Sequence, residues 1–195
     1  MAGESIDVLE KGDVAPSFEL DGVDGETHTL ADYPDNEAVL VVFTCNHCPY
    51  AKAKFDLMND IAAEYDDVAV IGINSNDAEE YPDDSFEAMQ DRVEDGVIQF
   101  DAYLFDESQE VAKAYGAVCT PDPFLFEKVD GEFQLVYHGR LDDALNPDDE
   151  PSEFYIREAI ESVLAGEDVD LEFLVSRGCT IKWKPDNEPD YWDDV

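Results

Sequence analysis

Apolar positions along the chain follow two periods. Residues 38–44, Ala-Val-Leu-Val-Val-Phe-Thr, form an unbroken apolar run rich in β-branched side chains, as expected of a strand buried on both faces. Residues 68–73, Val-Ala-Val-Ile-Gly-Ile, repeat that pattern. Between them, from Pro49 onward, Phe55, Met58, Ala62 and Tyr65 recur at helical spacing. Upstream, residues 18–30 read as two short extended pieces around a turn with Asp24-Gly25 at its centre.

Downstream, the loop 74–84 leads to a helix whose apolar face is Phe86, Met89 and Val93, with Asp84 and Glu87 as its cap. Residues 107–117 predict another helix, with Ser108 near its start and Gly116 ending it. Two strands over 123–138 meet at Asp130-Gly131, a strong hairpin signal. Residues 151–166 form an amphipathic helix closed by Gly166. The order is therefore hairpin, strand, helix, strand, helix, helix, hairpin, helix. It predicts an α/β fold with a mixed sheet flanked by helices. No repeat or low-complexity linker divides the chain, so residues 1–195 are expected to form a single domain, with 167–195 as a C-terminal strap.

The charge changes the picture. The chain carries 50 acidic residues and 11 Lys plus Arg, a formal net charge of −39. Such charge often means disorder, but here the acids are spread through periodic apolar segments, and 44% of residues are hydrophobic. Like charges at this density destabilise a compact state. Screening shortens from about 10 Å at 0.1 M salt to about 3 Å at 1 M, so a salt-rich cytoplasm and a halophilic source are expected. Nucleic acid and anionic membranes are excluded as partners. The N-terminal residues show no signal peptide and no stretch long enough to span a membrane, which implies a cytoplasmic place.

The candidate chemistry sits where the run 38–44 ends, at Cys45-Asn46-His47-Cys48. A structural zinc site needs four ligands. Cys119, Cys179, His28, His47 or His138 would have to complete it, and no second pair stands at ligand spacing. A disulfide staple is disfavoured by a reducing compartment and by the smallness of the ring. Position favours redox chemistry. A strand handing over to a helix puts Cys45 at a helix N-terminus, where unpaired N–H groups and the helix dipole stabilise a thiolate. Cys48, one turn further in, would resolve a mixed disulfide.

Thr120-Pro121 stands just before the strand that opens the second hairpin. With the Cys-x-x-Cys it resembles the thioredoxin superfamily, which implies a thioredoxin-like fold with an N-terminal hairpin and a C-terminal extension. By that resemblance Pro121 is a cis-proline packed on the dithiol, and Thr120 offers its backbone to a substrate disulfide beside Cys45. The segments GDVAPSFELDGVDGETHTLADY, CNHCPYAK, YPDDSFEAM, TPDPFLF, GRLDD and GCTIKWKPDNEPDY are together similar to a peroxiredoxin-like (redoxin) branch, related to alkyl hydroperoxide reductase and thiol-specific antioxidant. Two departures mark the chain. Peroxiredoxins carry Pro-x-x-x-Thr/Ser-x-x-Cys, but those positions hold Ala38 and Val42 counting from Cys45, or Val41 and Cys45 counting from Cys48. Thioredoxins proper carry a Trp, a Gly-Pro and a buried Asp where this chain has Thr44, Asn46-His47 and Val39.

The expected function is thiol–disulfide exchange, with Cys45 attacking, Cys48 resolving, and Thr44, His47, Thr120 and Pro121 supporting. A thiol peroxidase and a non-catalytic binding module are the alternatives. No cofactor or metal is required. The substrate would be a protein or low-molecular-weight disulfide, and the electron donor a thioredoxin, a small thiol or a reductase. A protonated His47 would further stabilise the thiolate; the alternative is a solvent-facing residue. Cys119, adjacent to Thr120 in an extended stretch, should face the other way, as a small buried hydrophobe. Cys179 belongs to the strap, or is an additional thiol near Cys45. Lys52, Lys54, Lys182 and Lys184 read as ordinary solvated lysines; offsetting local repulsion or attracting an anionic partner are the alternatives. The Asn74-Ser75-Asn76-Asp77 segment ends a buried strand, where α/β sites gather; capping of the next segment and substrate contact are equally open for its side chains.

Overall fold

The computed structural model describes residues 2–194, apart from the side chains of residues 193 and 194. In chain order its strands and α-helices are β1 (Ala2–Glu4), β2 (Leu20–Gly22), β3 (Thr27–His28), β4 (Ala38–Phe43), α1 (Pro49–Lys52), α2 (Phe55–Glu64), β5 (Val68–Asn74), α3 (Phe86–Glu94), β6 (Ala102–Phe105), α4 (Glu110–Tyr115), β7 (Cys119–Thr120), β8 (Asp122–Val129), β9 (Glu132–His138), α5 (Tyr155–Leu164) and β10 (Arg177–Thr180).

β4 organises the molecule. All six of its residues lack exposed surface, and alternate side chains enter different cores. Val39, Val41 and Phe43 pack with Ile71, Tyr115 and Phe124. Ala38, Leu40 and Val42 pack with Met58 of α2 and Ile156 and Ile160 of α5. Helices thus cover both faces of a sheet ordered β3-β2-β6-β5-β4-β8-β9. β4 runs parallel to β5 and antiparallel to β8, so the sheet is mixed, as its sequence pattern predicts. Asp130 and Gly131, at φ 51° and 91°, both take the left-handed conformation that a tight hairpin between β8 and β9 requires.

Several elements differ from expectation. β6 lies between β2 and β5 and joins the N-terminal hairpin to the sheet; four residues after polar Asp101 carry too little periodicity to announce a strand. β1, β10 and β7 form a second, three-stranded sheet. The helix expected from Pro49 breaks after Lys52 and restarts at Phe55. Ser85, not Asp84, caps α3, its Oγ accepting from the Ala88 N–H at 3.2 Å. Val93 of α3 is exposed. Among the described residues no helix is long and apolar enough to cross a membrane.

Candidate active site

Beyond β4 the chain turns through residues 44–48, anchored by the Thr44 N–H, which donates to Ile73 O at 2.8 Å. α1 begins at Pro49, so the helix N-terminus falls at Cys48 rather than at Cys45, where the strand-to-helix reading put it. Pro suits the first helical position because its missing N–H would have no partner there. Both thiols are buried with no exposed surface, packed among Phe55, Met89, Ile98 and Tyr103. The Thr44 hydroxyl is also buried and makes no hydrogen bond among the described residues.

The Thr120–Pro121 peptide is cis and lies against the dithiol. Thr120 Oγ1 is 3.3 Å from Cys45 Sγ, and the Cys48 thiol donates to Thr120 O at 3.2 Å. Cys119 is buried and points elsewhere, toward Pro121 O at 3.7 Å and Ser176 O at 3.9 Å. β10 closes the other side. A Cβ on Gly178 would stand 1.9 Å from Thr120 O, so only glycine lets β10 approach this closely. The next residue, Cys179, donates its N–H to Cys48 Sγ at 3.4 Å, and Thr120 Oγ1 donates to Cys179 O at 3.4 Å.

A buried carboxylate completes the surroundings. Asp84 has no exposed surface; Oδ1 accepts from the Asn46 N–H at 2.7 Å, and Oδ2 accepts from Asn76 Nδ2 at 2.8 Å and pairs with His47 Nδ1. Asn46 Oδ1 accepts from the Tyr103 hydroxyl at 2.9 Å. His47 stacks on Tyr81, whose ring also lies under the Lys182 ammonium. The segment 74–77 is therefore a bracket. Asn74 Nδ2 donates to Asp84 O, and Asn76 Oδ1 accepts from the Lys182 N–H. Gln109, held at φ 65°, donates to Ser75 O and Lys182 O, fixing the C-terminal segment on the bracket. Lys54 is engaged locally, with Asp142 at 2.6 Å and Ala144 O at 3.1 Å.

These contacts set the protonation states. The Cys48 thiol is lowered to about 5. The hydrogen bond from the Cys45 thiol contributes most, followed, against the effect of burial, by the Cys179 side chain and the N–H groups of Ala51 and Cys179. The Thr120 carbonyl opposes this, since it favours a protonated Cys48, but one acceptor stands against several donors. The Cys45 thiol is pushed well up by burial, by its donation to Cys48 and by the Asp84 charge. Cys179 is raised to about 11 by burial and then by Cys48. The Asp84 hydrogen bond raises His47 despite burial, and burial of Asp84 is outweighed by His47 and Asn76, which hold its carboxyl low.

Ligand atoms of Cys45, His47 and Asp84 lie within 4.8 Å of one another, a set that could touch a metal ion. Three ligands fall short of a closed zinc site, and the His47 and Asp84 atoms already satisfy each other. His28 and His138 stand elsewhere, paired with Asp24 and Asp122. Sequence reading missed Asp84 and Asn46 as site residues, and reached Asn76 only as part of the segment 74–77. The only signal for Asp84 was its place in the YPDDSFEAM segment, where it passed for a helix cap.

A mixed sheet flanked by helices, with a dithiol at the strand-to-helix junction and a cis-proline across from it, places the molecule in the thioredoxin-like class. Residues 11–134 match the AhpC/TSA family, and the chain belongs to it. The fold is shared with thioredoxin-like proteins, and the family match supports thiol-based redox chemistry in general. The crystal structure of an uncharacterised conserved protein from Geobacillus kaustophilus is similar with a TM-score of 0.83 and 41% identity, covering 95% of this chain and 97% of that one. A hypothetical protein from Sinorhizobium meliloti gives 0.81 and 39%, covering 93% and 98%. The exposed lipoprotein thioredoxin of Streptococcus pneumoniae shares the fold at a TM-score of 0.53 and 24% identity, over 77% and 99% of the two chains. No curated protein matches the chain.

Proposed function

We propose that the protein is a thiol–disulfide oxidoreductase in which Cys48 is the attacking thiolate and Cys45 the resolving thiol. This reverses the order expected when Cys45 was placed at the helix N-terminus. The observation that carries it is the position of Cys48 at the start of α1, where Cys45, Cys179 and backbone N–H groups all direct protons at its sulfur. Donors aimed at a sulfur favour its charged, nucleophilic form.

The Cys48 thiolate attacks one sulfur of a substrate disulfide; a mixed disulfide forms and the other substrate sulfur leaves as thiolate. Cys45 then gives up its proton and attacks Cys48 Sγ, releasing the second substrate thiolate. The substrate gains two electrons and the Cys45–Cys48 disulfide holds the oxidation. Asp84, whose charge faces Cys45, is positioned to take the Cys45 proton, and protonated His47 to give one back. Thr120 and Pro121 form the wall on which the substrate chain docks. Because Cys179 reaches Cys48 from the segment after α5, residues 1–195 act as one domain. The substrate is a protein or low-molecular-weight disulfide in a reducing cytoplasm, and a thioredoxin or small thiol restores the dithiol.

The family match supports a second reading, peroxide reduction by the same Cys48 thiolate. Stopped-flow loss of thiols in concentrated KCl separates the two. Disulfide exchange predicts reaction with hydrogen peroxide at the rate of a free cysteine, together with rapid reaction with a disulfide. Thiol loss with peroxide orders of magnitude faster would make the protein a peroxidase.

A further inference from the structure

Cys45, Cys48 and Cys119 are buried, and Cys179 is the one partly exposed thiol among the four. Its N–H is on the Cys48 sulfur at 3.4 Å, and its side chain is hydrogen-bonded to the same sulfur. The contact is built rather than incidental. Gly178 allows β10 to press on Thr120 O, Thr120 Oγ1 holds Cys179 O, and β10 is paired on both edges, with β1 and β7.

We infer that Cys179 is a third redox thiol, exchanging with the Cys45–Cys48 disulfide and carrying the oxidation to the surface where a reductant can meet it. This rests on the Cys45–Cys48 dithiol chemistry proposed above. In the oxidised protein the Cys179 thiol loses its proton and attacks Cys48 Sγ. The Cys45–Cys48 bond breaks, its electron pair leaves on Cys45 Sγ, and that sulfur takes up a proton. One disulfide replaces another, so no oxidant is consumed. A dithiol reductant then attacks Cys179 Sγ, the exposed sulfur, and the electron pair leaves on Cys48. The second thiol of the reductant closes its own disulfide and frees Cys179, so two electrons have entered the protein.

The reductant's step suits the sulfurs. Thiolates of low pKa leave faster, and Cys48 is the lowered one of the three. Cys179 is held protonated in the reduced protein partly by the Cys48 thiolate. That charge vanishes once Cys48 is in a disulfide, so Cys179 becomes easier to ionise at the stage where it must attack.

The test uses the full chain in multi-molar KCl. Cys45→Ser, oxidised with one equivalent of diamide and mapped by non-reducing peptide mass spectrometry, is expected to contain an intramolecular Cys48–Cys179 disulfide in most molecules. Cys179→Ser, oxidised to Cys45–Cys48, is expected to be reduced by dithiothreitol at least tenfold more slowly than wild type. Wild-type protein quenched with acid from a glutathione redox buffer is expected to show the Cys48–Cys179 isomer beside Cys45–Cys48, which needs no variant to fold. Absence of that isomer from both wild type and Cys45→Ser, with Cys45–Cys48 present in wild type, overturns the relay and leaves the dithiol chemistry standing. Absence of Cys45–Cys48 in wild type overturns the dithiol chemistry, and the relay with it.

Discussion

Asp84, in the turn before α3, pairs with His47, between the two cysteines, although 37 residues separate them in sequence. His47 sits on no regular element, and Asp84 ends a short 3-10 helix, Pro82–Asp84. The pair exists because the bracket at 74–77 holds the Asp84 turn against the loop that leaves β4. An acid buried without partners would neutralise itself; this one keeps its charge because Asn46, Asn76 and His47 all point protons at it.

The pair makes stability depend on pH from two sides. His47 is raised from its ordinary 6.5, so its contribution is complete below 6.5 and fades as pH rises through the folded value. Asp84 is lowered from 3.8, so its contribution is present above 3.8 and is lost as pH falls through the folded value. His47→Ala is expected to cost about 3 kcal/mol between those limits, at the low end for breaking a buried pair. Above the folded value of His47 the cost should shrink. Denaturant unfolding at constant high salt, wild type against variant across pH, checks both the size and the sign.

Gly178→Ala tests the approach of β10. The added methyl meets a backbone oxygen, which cannot rotate away, so overpacking should destabilise by about 1–3 kcal/mol. The Cys179 N–H should also move off Cys48, raising the Cys48 pKa from about 5. A purely structural glycine would lower the melting temperature and leave the thiol titration unchanged; alkylation rate against pH reads the difference.

The net charge of −39 makes its own prediction. Moving the protein from multi-molar KCl to dilute buffer is expected to remove most of its far-ultraviolet circular dichroism, because unscreened repulsion then acts across the whole surface. Returning the salt should restore it. A spectrum that does not change on desalting would contradict the halophilic interpretation.

Much of the scaffold was legible in the chain because β4 is apolar throughout, β5 is apolar up to its last residue, Asn74, and Asp130-Gly131 is a strong hairpin signal. The Thr120-Pro121 pair was found through resemblance, and its cis bond lies beside the thiols. What was not legible depends on contacts distant in sequence. β1 and β10 are short strands that exist by pairing with each other and with β7, and no local period marks them. The start of the helix was misplaced for a local reason. Proline at 49 starts the helix there, one residue after Cys48, and counting from the end of β4 alone put the start too early. Asp84 was hidden because an acid one residue before a capping serine looks like a cap.

The most direct test of the central assignment is an ultraviolet thiolate titration of the reduced protein and its single-cysteine variants in concentrated KCl. The expected result is a transition near pH 5 in wild type, lost in Cys48→Ser. In Cys45→Ser it should persist, at a higher pH but still below that of an ordinary thiol. A low transition that survives in Cys48→Ser and disappears in Cys45→Ser would make Cys45 the thiolate and contradict the assignment of Cys48 as the attacking group.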